Sequence, residues 1–228
     1  AVGYLQLGIV KNAVNVPALP QEIAERLTPY LDVAKALGSL IGQLDPIDVR
    51  ELRVTCTGEA GELGVTPIAR AALAGFLEHH LEEPVNPISA PYEAQERGIR
   101  LAEVKEASDR YATTVRVTVT GEKGIHTATG TPGRKGEPRL VGLEGYEIDA
   151  VMEGPVLIMR NQDRPGVIGS VGTLLGSRGI NVSRMQVGLD EKRGQALALW
   201  NVDSTLGREA LDELRSIDHV SSVHTLRL

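Results

Sequence analysis

Apolar residues recur at every third or fourth position through several segments of this 228-residue chain, and that period is typical of amphipathic helices. It predicts a helix over residues 21–44 that Pro29 splits, with a second helix beginning after Thr28. Thr66 is predicted to cap a further helix that begins at Pro67. Branched and alternating apolar residues predict strands, which lie at 49–56, 113–120, 127–131 and 139–143. Together these elements indicate one α+β domain over residues 16–153.

The pattern changes after residue 153. Six elements are predicted there in the order βαββαβ, over residues 156–160, 165–177, 180–188, 196–202, 206–217 and 220–228. This order is typical of a ferredoxin-like unit, so residues 154–228 form a second predicted domain and the fold class is α+β. A core of that size is marginal, so we expect the chain to associate with itself as a homo-oligomer.

Charge and composition narrow the possible partners. Lys and Arg total 24 against 30 Asp and Glu, and aromatic residues make up only 3% of the chain. Nucleic acid and acidic membranes both need a positive surface, so neither is an expected partner. No apolar run approaches the roughly 20 residues of a membrane helix. The one cysteine, Cys56, cannot form a disulfide within the chain, which favours the cytoplasm, and we expect it in the core.

No catalytic centre is visible in the sequence. It has no glycine-rich nucleotide loop, no serine-hydrolase motif and no zinc-protease motif. His79 and His80 are adjacent and lie beside several glutamates. Consecutive helix residues point about 100° apart, so this pair is a poor metal cage and is predicted to be a solvated helix end. We therefore expect no metal site and no catalytic residue in this chain.

The segment Asn161–Gly166 has the chemistry of a ligand site. Asp163 is predicted to cap the helix that follows, Pro165 suits its first turn, and Gly166 lets a ligand approach the backbone. The positive end of that helix attracts a carboxylate, and Asp163 could pair with an ammonium group. Both groups together describe a free amino acid.

Capping alone explains the same residues, and both interpretations stay open. Gly179 is expected to end the helix, and Asn181 could serve the turn after it. Four glycines, at 166, 169, 172 and 176, each cost stability in a helix. We expect a close approach of this helix to the sheet or to a partner to offset that cost.

The C-terminal segments Arg160–Gly169, Gly172–Leu175 and Gly179–Val182 resemble the ACT domain that ends D-3-phosphoglycerate dehydrogenases. Upstream segments resemble the intervening domain of the long form of that family, among them Asn12–Pro17, Glu96–Ile99 and Pro138–Val141. The resemblance covers nearly the whole chain, and residues 1–15 resemble the end of the catalytic half, whose domains are otherwise not in this chain. It therefore implies a regulatory region in serine biosynthesis. NAD is implied for the absent catalytic domains, which would oxidise D-3-phosphoglycerate to 3-phosphohydroxypyruvate, and no cofactor is implied for this chain.

The resemblance also implies site residues and partners. ACT domains of the family pair edge to edge, as homodimers or homotetramers, and L-serine binds between them. The matching positions are Asn161, Asp163 and Asn181. Asp163 would take the ammonium group, helix N–H groups near Gly166 and Val167 would take the carboxylate, and the neighbouring chain's Asn181 would close the site.

The intervening domain of some relatives binds an anion through basic residues. Arg139 falls at one matching position, with Arg134 and Lys135 nearby, so these three form a candidate anion site. Two alternatives to the effector-binding hypothesis remain: a ligand-free oligomerisation module, or the regulatory part of an L-serine dehydratase.

Overall fold

The chain divides by its contacts into two units. The computed structural model describes residues 20–44, 49–107, 112–122 and 124–228, so the predicted remnant at 1–15 lies outside the described residues. The N-terminal unit runs to Arg139 and the C-terminal unit spans Leu140–Leu228. The division falls ahead of the boundary at residue 154 that the sequence predicts, because the hairpin after Arg139 contacts the later strands.

The N-terminal unit has helices packed on a mixed sheet. Its strands lie in the order β2-β1-β3-β4, with β1 parallel to β2 and antiparallel to β3. The helix α1 packs against α3 and against β4. The elements are α1 (Gln21–Leu44), β1 (Val49–Thr57), α2 (Gly58–Leu63), α3 (Val65–Leu77), α4 (Ala90–Glu96), β2 (Arg100–Glu106), β3 (Thr114–Gly121) and β4 (Gly124–Pro132).

Pro29 does not split the first helix. α1 is continuous from Gln21 to Leu44 with Pro29 inside it, so the predicted break after Thr28 is wrong. Proline removes one backbone hydrogen bond, but Leu27 and Tyr30 on either side of it stay buried on the same face. Packing of that face on both sides of the proline outweighs the local cost.

The start of α3 also differs from the prediction. Its N-cap is Gly64 and its first residue is Val65, so Thr66 lies inside the helix rather than at its cap. The Thr66 hydroxyl instead donates to the Glu103 carboxylate at 2.6 Å. The separate short helix α2 and the edge strand β2 are not predicted from the sequence pattern, because β2 is half-exposed and charged along most of its length.

The crossing of α1 and α3 brings a histidine at the end of α3 into contact with α1. Gly38 and Gly75 let the two backbones meet, since a Cβ on Gly75 would lie 2.2 Å from the Lys35 carbonyl oxygen. His79, just past α3, lies 2.7 Å from the Ser39 hydroxyl. His80 packs on the Phe76 ring with centroids 4.7 Å apart. Both histidines stay exposed, so the predicted solvated helix end is confirmed, although each ring also contacts a neighbouring side chain.

The C-terminal unit confirms the βαββαβ order. Its four-stranded sheet has the order β10-β7-β9-β8, which leaves β8 and β10 at the edges. A β-hairpin precedes it, and two helices cover one face. The elements are β5 (Pro138–Leu143), β6 (Tyr146–Val151), β7 (Pro155–Gln162), α5 (Val167–Ser177), β8 (Val182–Asp190), β9 (Gln195–Val202), α6 (Arg208–Arg215) and β10 (Val220–Arg227).

Elements of this unit contact both faces of the sheet. On the helix side, Leu157, Met159 and Trp200 form a core with Val171 and Leu175 of α5. On the other side β6 packs against β8, where Gly188 permits the contact: a Cβ there would lie 2.5 Å from the Glu147 carbonyl oxygen. The edge of β8 therefore remains as the open part of the sheet next to α5.

Cys56 is fully buried in β1, as the sequence predicts, and burial raises the pKa of its thiol to about 12. Across the described ranges, no three or more His, Cys, Asp or Glu side chains come together in a way that could hold a metal ion. Within the same ranges, no helix combines the length and hydrophobicity that crossing a membrane requires.

Candidate functional site

The loop between β7 and α5 has an uncapped helix start. Gly166, with φ of 93°, is the N-cap of α5, and no side chain caps the helix. The prediction that Asp163 caps it, with Pro165 in its first turn, is therefore wrong. A glycine adopts this left-handed conformation without strain, and it turns the chain into the helix one residue after Pro165.

The first amides of α5 carry the positive end of the helix. The Val167 N–H points at the Arg164 carbonyl oxygen at 3.5 Å, and Val167 itself is buried. The next two amides, of Ile168 and Gly169, have no partner inside the helix by its geometry. A Cβ added at Gly166 or Gly169 would meet nothing within 4 Å, so the approach to these amides is open. Such a helix start attracts a small anion.

Two side chains flank this helix start. Asn161 is 5% exposed, and its amide donates to the Gln162 carbonyl oxygen at 2.7 Å. Asp163 is exposed, and its backbone N–H donates to the Gly194 carbonyl oxygen at 2.9 Å. The loop is therefore fixed to the β8–β9 turn through its backbone, while the Asp163 carboxylate stays available for a cation. The Asp163 carboxylate and the unpaired amides at the start of α5 together suit a ligand that carries both an ammonium and a carboxylate group.

Asn181 lies at the opposite end of the same sheet. Strand β9 begins at Gln195, which pairs with Gln162 beside Asp163, and ends at Val202, which pairs with Val182 beside Asn181. Seven residue steps along a strand span about 23 Å. One small amino acid cannot contact both ends, so the structure does not bring Asp163 and Asn181 of one chain together.

The backbone of Asn181 is fixed and its side chain is exposed. Its N–H donates to the Asp203 carboxylate at 3.2 Å, and its carbonyl oxygen accepts from the Asp203 N–H at 3.1 Å. These two hydrogen bonds hold the Asn181 backbone in place, while its side-chain amide faces solvent. It can act as a donor or an acceptor for a molecule brought to it from outside this chain.

We call the Asp163 loop with the start of α5 one half-site, and Asn181 the other. The surface between these two half-sites is apolar and open. Strand β8 pairs on one side only, and Met185 and Leu189 on it are 37% and 51% exposed. On α5, Ile168 is 44% exposed. Gly169, Gly172 and Gly176 also have no atom within 4 Å of an added Cβ, so the expected close approach of α5 to the sheet at these positions is wrong. The other half of that expectation, a close approach of a partner to α5, stays a prediction.

The candidate anion site lies in the turn after β4. Lys135 and Arg134 are exposed there, but the Lys135 N–H donates to the Glu137 carboxylate at 2.9 Å. Arg139 lies 3.8 Å from the same carboxylate. Backbone N–H groups of Glu137 and Lys135 hold the pKa of the Glu137 carboxyl below its usual value, and Arg139 and Lys135 act in the same direction. A phosphate would have to compete with Glu137, and anion binding by these residues stays a prediction.

Sequence reasoning missed two parts of the site. The Gly194 carbonyl oxygen holds the Asp163 loop, but Gly194 lies 31 positions further along the chain than Asp163. The turn around Gly194 shows no feature in the sequence other than its polar residues. The amides of Ile168 and Gly169 replace those near Gly166 and Val167 as the accessible donors, because Gly166 rather than Asp163 begins the helix. A glycine directly after Asp-Arg-Pro is the one signal in the sequence for that shift.

Comparison with known families matches both units. Residues 26–144 match the D-3-phosphoglycerate dehydrogenase intervening domain, and residues 155–219 match the ACT domain. The first match covers more than half of the chain. The second contains Asn161, Asp163, Gly166, Val167 and Asn181, so all five predicted effector residues lie within it.

Several curated relatives are similar over almost the whole chain. D-3-phosphoglycerate dehydrogenase of Synechocystis sp. is 36% identical over 96% of this chain and 40% of its own length. The enzymes of Methanocaldococcus jannaschii and Bacillus subtilis are 31% and 32% identical, each over 96% of this chain and 42% of their own length. The chain thus spans about two fifths of the length of the relatives it matches.

Proposed function

Since the chain belongs to the family defined by the D-3-phosphoglycerate dehydrogenase intervening domain, we propose that it is the regulatory region of such an enzyme. Its ACT units bind L-serine, or a similar small amino acid, at a seam between two copies. The proposal includes the catalytic domains of the parent enzyme, which bind NAD and oxidise D-3-phosphoglycerate in the cytoplasm. The sequence of this chain has no glycine-rich loop that could hold NAD, so no catalytic step is assigned to its residues.

The observation that carries the proposal is the separation of the two half-sites. Asp163 and the start of α5 lie at one end of the sheet, and Asn181 lies at the other. An antiparallel pair of β8 strands from two copies places the beginning of each strand beside the end of its partner. Asn181 of one copy then comes next to the Asp163 loop of the other, and a two-fold axis produces two equivalent sites.

The surface chemistry supports this pairing. The edge of β8 offers unpaired backbone groups, and Met185, Leu189 and Ile168 offer apolar area beside it. The bare stripe of Gly169, Gly172 and Gly176 lets a second helix approach α5 closely. On the sheet's other face β6 contacts β8 at Gly188, and the edge of β8 is left for a second copy.

Within the seam each group of the ligand has a partner. The Asp163 carboxylate pairs with the ammonium group, and the Ile168 and Gly169 amides donate to the carboxylate at the positive helix end. The amide of Asn181 from the other copy closes the site and can bond a side-chain hydroxyl. A ligand that bridges two copies favours the arrangement in which both half-sites meet, and this differential affinity is what allows it to regulate a parent enzyme.

One alternative has an observation in its favour. The apolar edge of β8 would associate whether or not a ligand binds, so a ligand-free oligomerisation module uses the same surface. The match of residues 26–144 favours a dehydrogenase parent over an L-serine dehydratase.

Calorimetric titration of the chain with L-serine and glycine tests the proposal. We expect saturable heat for at least one of them, and Asp163→Ala abolishes it because the ammonium group loses its counter-charge. Asp212→Ala is the matched control, since Asp212 is an exposed acid of the same unit that pairs with Arg215 on α6. Absence of heat and of any melting shift at millimolar ligand favours the ligand-free module. Retained affinity in Asp163→Ala contradicts the assigned role.

A further inference from the structure

The tip of the β5–β6 hairpin lies against the same end of the sheet as the Asp163 loop. Glu144 and Gly145 form the tip with φ of 54° and 85°, a two-residue turn that suits a hairpin. Tyr146 follows at once and is 9% exposed. A Cβ on Gly188 would lie 2.5 Å from the Glu147 carbonyl oxygen and 3.2 Å from the Tyr146 Cβ, so the glycine permits the close approach of this segment.

Tyr146 contacts the strand that holds the Asp163 loop. The Tyr146 hydroxyl donates to the Gln195 side-chain oxygen at 3.3 Å. Gln195 is the first residue of β9, and the residue before it, Gly194, accepts the Asp163 backbone N–H at 2.9 Å. Gln195 also pairs with Gln162, which precedes Asp163. Two hydrogen bonds therefore join Tyr146 to Asp163 across the sheet.

A second contact fixes the same tip to β7. The Glu144 carboxylate lies 3.8 Å from the Arg160 guanidinium, and Arg160 precedes Asn161 in β7. Side chains alternate along a strand, so Arg160 points to the hairpin side and Asn161 to the helix side. The hairpin tip thus contacts both strands that carry the candidate site, at the residues directly adjoining it.

We propose that Tyr146 is a positioning residue of the amino-acid site, acting through Gln195 and Gly194 on the Asp163 loop. This inference rests on the proposed function, because it assigns the loop as the effector half-site. The Tyr146 hydroxyl restrains the side chain of Gln195 and with it the turn whose carbonyl fixes Asp163. By thermodynamic linkage, an amino acid that orders the Asp163 loop strengthens the Tyr146–Gln195 bond in turn, so the hairpin responds to occupancy.

The test compares Tyr146→Phe with the wild-type chain. Phenylalanine keeps the buried ring and removes only the hydroxyl. We expect affinity for L-serine to fall about threefold to tenfold, within the range by which residues that act through others change a binding free energy. The melting temperature should fall by no more than a few degrees, as the loss of one hydrogen bond predicts. Backbone amide exchange at Asp163, followed by NMR without ligand, becomes faster. Tyr92→Phe is the matched control, because Tyr92 is 64% exposed in α4 of the other unit.

Gln195→Met completes a double-mutant cycle. It should reproduce the effect of Tyr146→Phe, and the double variant should be no weaker than either single variant if the two residues act as one. Gln195→Glu keeps an acceptor oxygen and should retain most of the affinity.

Each outcome decides the inference. Unchanged affinity and unchanged Asp163 exchange in Tyr146→Phe overturn it. A larger fall in melting temperature with faster exchange throughout the unit also overturns it, because the hydroxyl is then structural. If the wild-type chain binds no amino acid, the proposed function fails by itself. Exchange at Asp163 in the unliganded variants then still decides whether Tyr146 positions the loop.

Discussion

Among single side chains, His79 couples its protonation to folding, because its pKa differs between the folded and the unfolded chain. Gln43 donates to the Ser39 hydroxyl oxygen at 3.1 Å, and the same hydroxyl lies 2.7 Å from His79 Nε2, where either group can be the donor. Burial lowers the pKa of His79 below its usual value, Glu78 opposes this and Lys35 adds to it. The described contacts at the α1–α3 crossing therefore favour the neutral ring.

This arrangement predicts a pH dependence of stability. A histidine whose pKa is lowered by folding binds protons more readily in the unfolded chain, so stability is present above pH 6.5 and is lost as the pH falls below it. Urea unfolding at pH 7.5 and at pH 5 should show this loss. His79→Gln should reduce the difference between the two pH values, although His80, whose pKa burial also lowers, retains part of it. An undiminished difference in His79→Gln would contradict the account.

At the scale of elements, the sequence pattern predicts most of those with regularly recurring apolar residues and misses short ones with several charged residues. All six elements of the ACT unit follow from apolar periodicity, because their buried faces pack into one core. The strand β6 is not among the predicted strands, although Tyr146, Ile148 and Ala150 alternate with Glu147 and Asp149 in the pattern of a half-buried strand. The preference of aspartate for caps misplaces the start of α5, because the left-handed Gly166 overrides it.

Glycines in helices illustrate what a sequence alone cannot decide. Gly75 and Gly172 have the same intrinsic cost in a helix, yet a Cβ on Gly75 would lie 2.2 Å from a backbone oxygen, and one on Gly172 would meet nothing within 4 Å. One serves packing inside the described unit and the other faces outward. Only the positions of neighbouring elements separate the two cases.

Alanine substitutions at these two glycines should have opposite effects on the isolated chain. Gly75→Ala forces α1 and α3 apart and should lower the free energy of unfolding by about 1–3 kcal/mol. Gly172→Ala should raise the free energy of unfolding of a single chain by about 0.5–1 kcal/mol through helix propensity. Denaturant unfolding at low protein concentration checks both. A large loss of stability in Gly172→Ala would show that α5 is packed within the chain.

For the whole molecule, the central claim is that one chain carries two incomplete sites. The residue types near Asp163 are enough to indicate a zwitterion, and the family resemblance indicates Asn181. Their placement at opposite ends of β9 follows only from the sheet order and register. Under the proposed function, that placement makes the association of two chains a requirement for binding the amino acid.

Mixing two inactive variants tests this claim most directly. Asp163→Ala and Asn181→Ala should each abolish binding of L-serine, because every site in either homodimer lacks one partner. After unfolding and refolding the two variants together, each mixed dimer holds one intact site. With random pairing, calorimetry should recover about a quarter of the wild-type sites, at an affinity close to wild type. The account would be contradicted if the mixed protein still bound nothing although each substitution alone abolishes binding. Both residues would then belong to a site within a single chain.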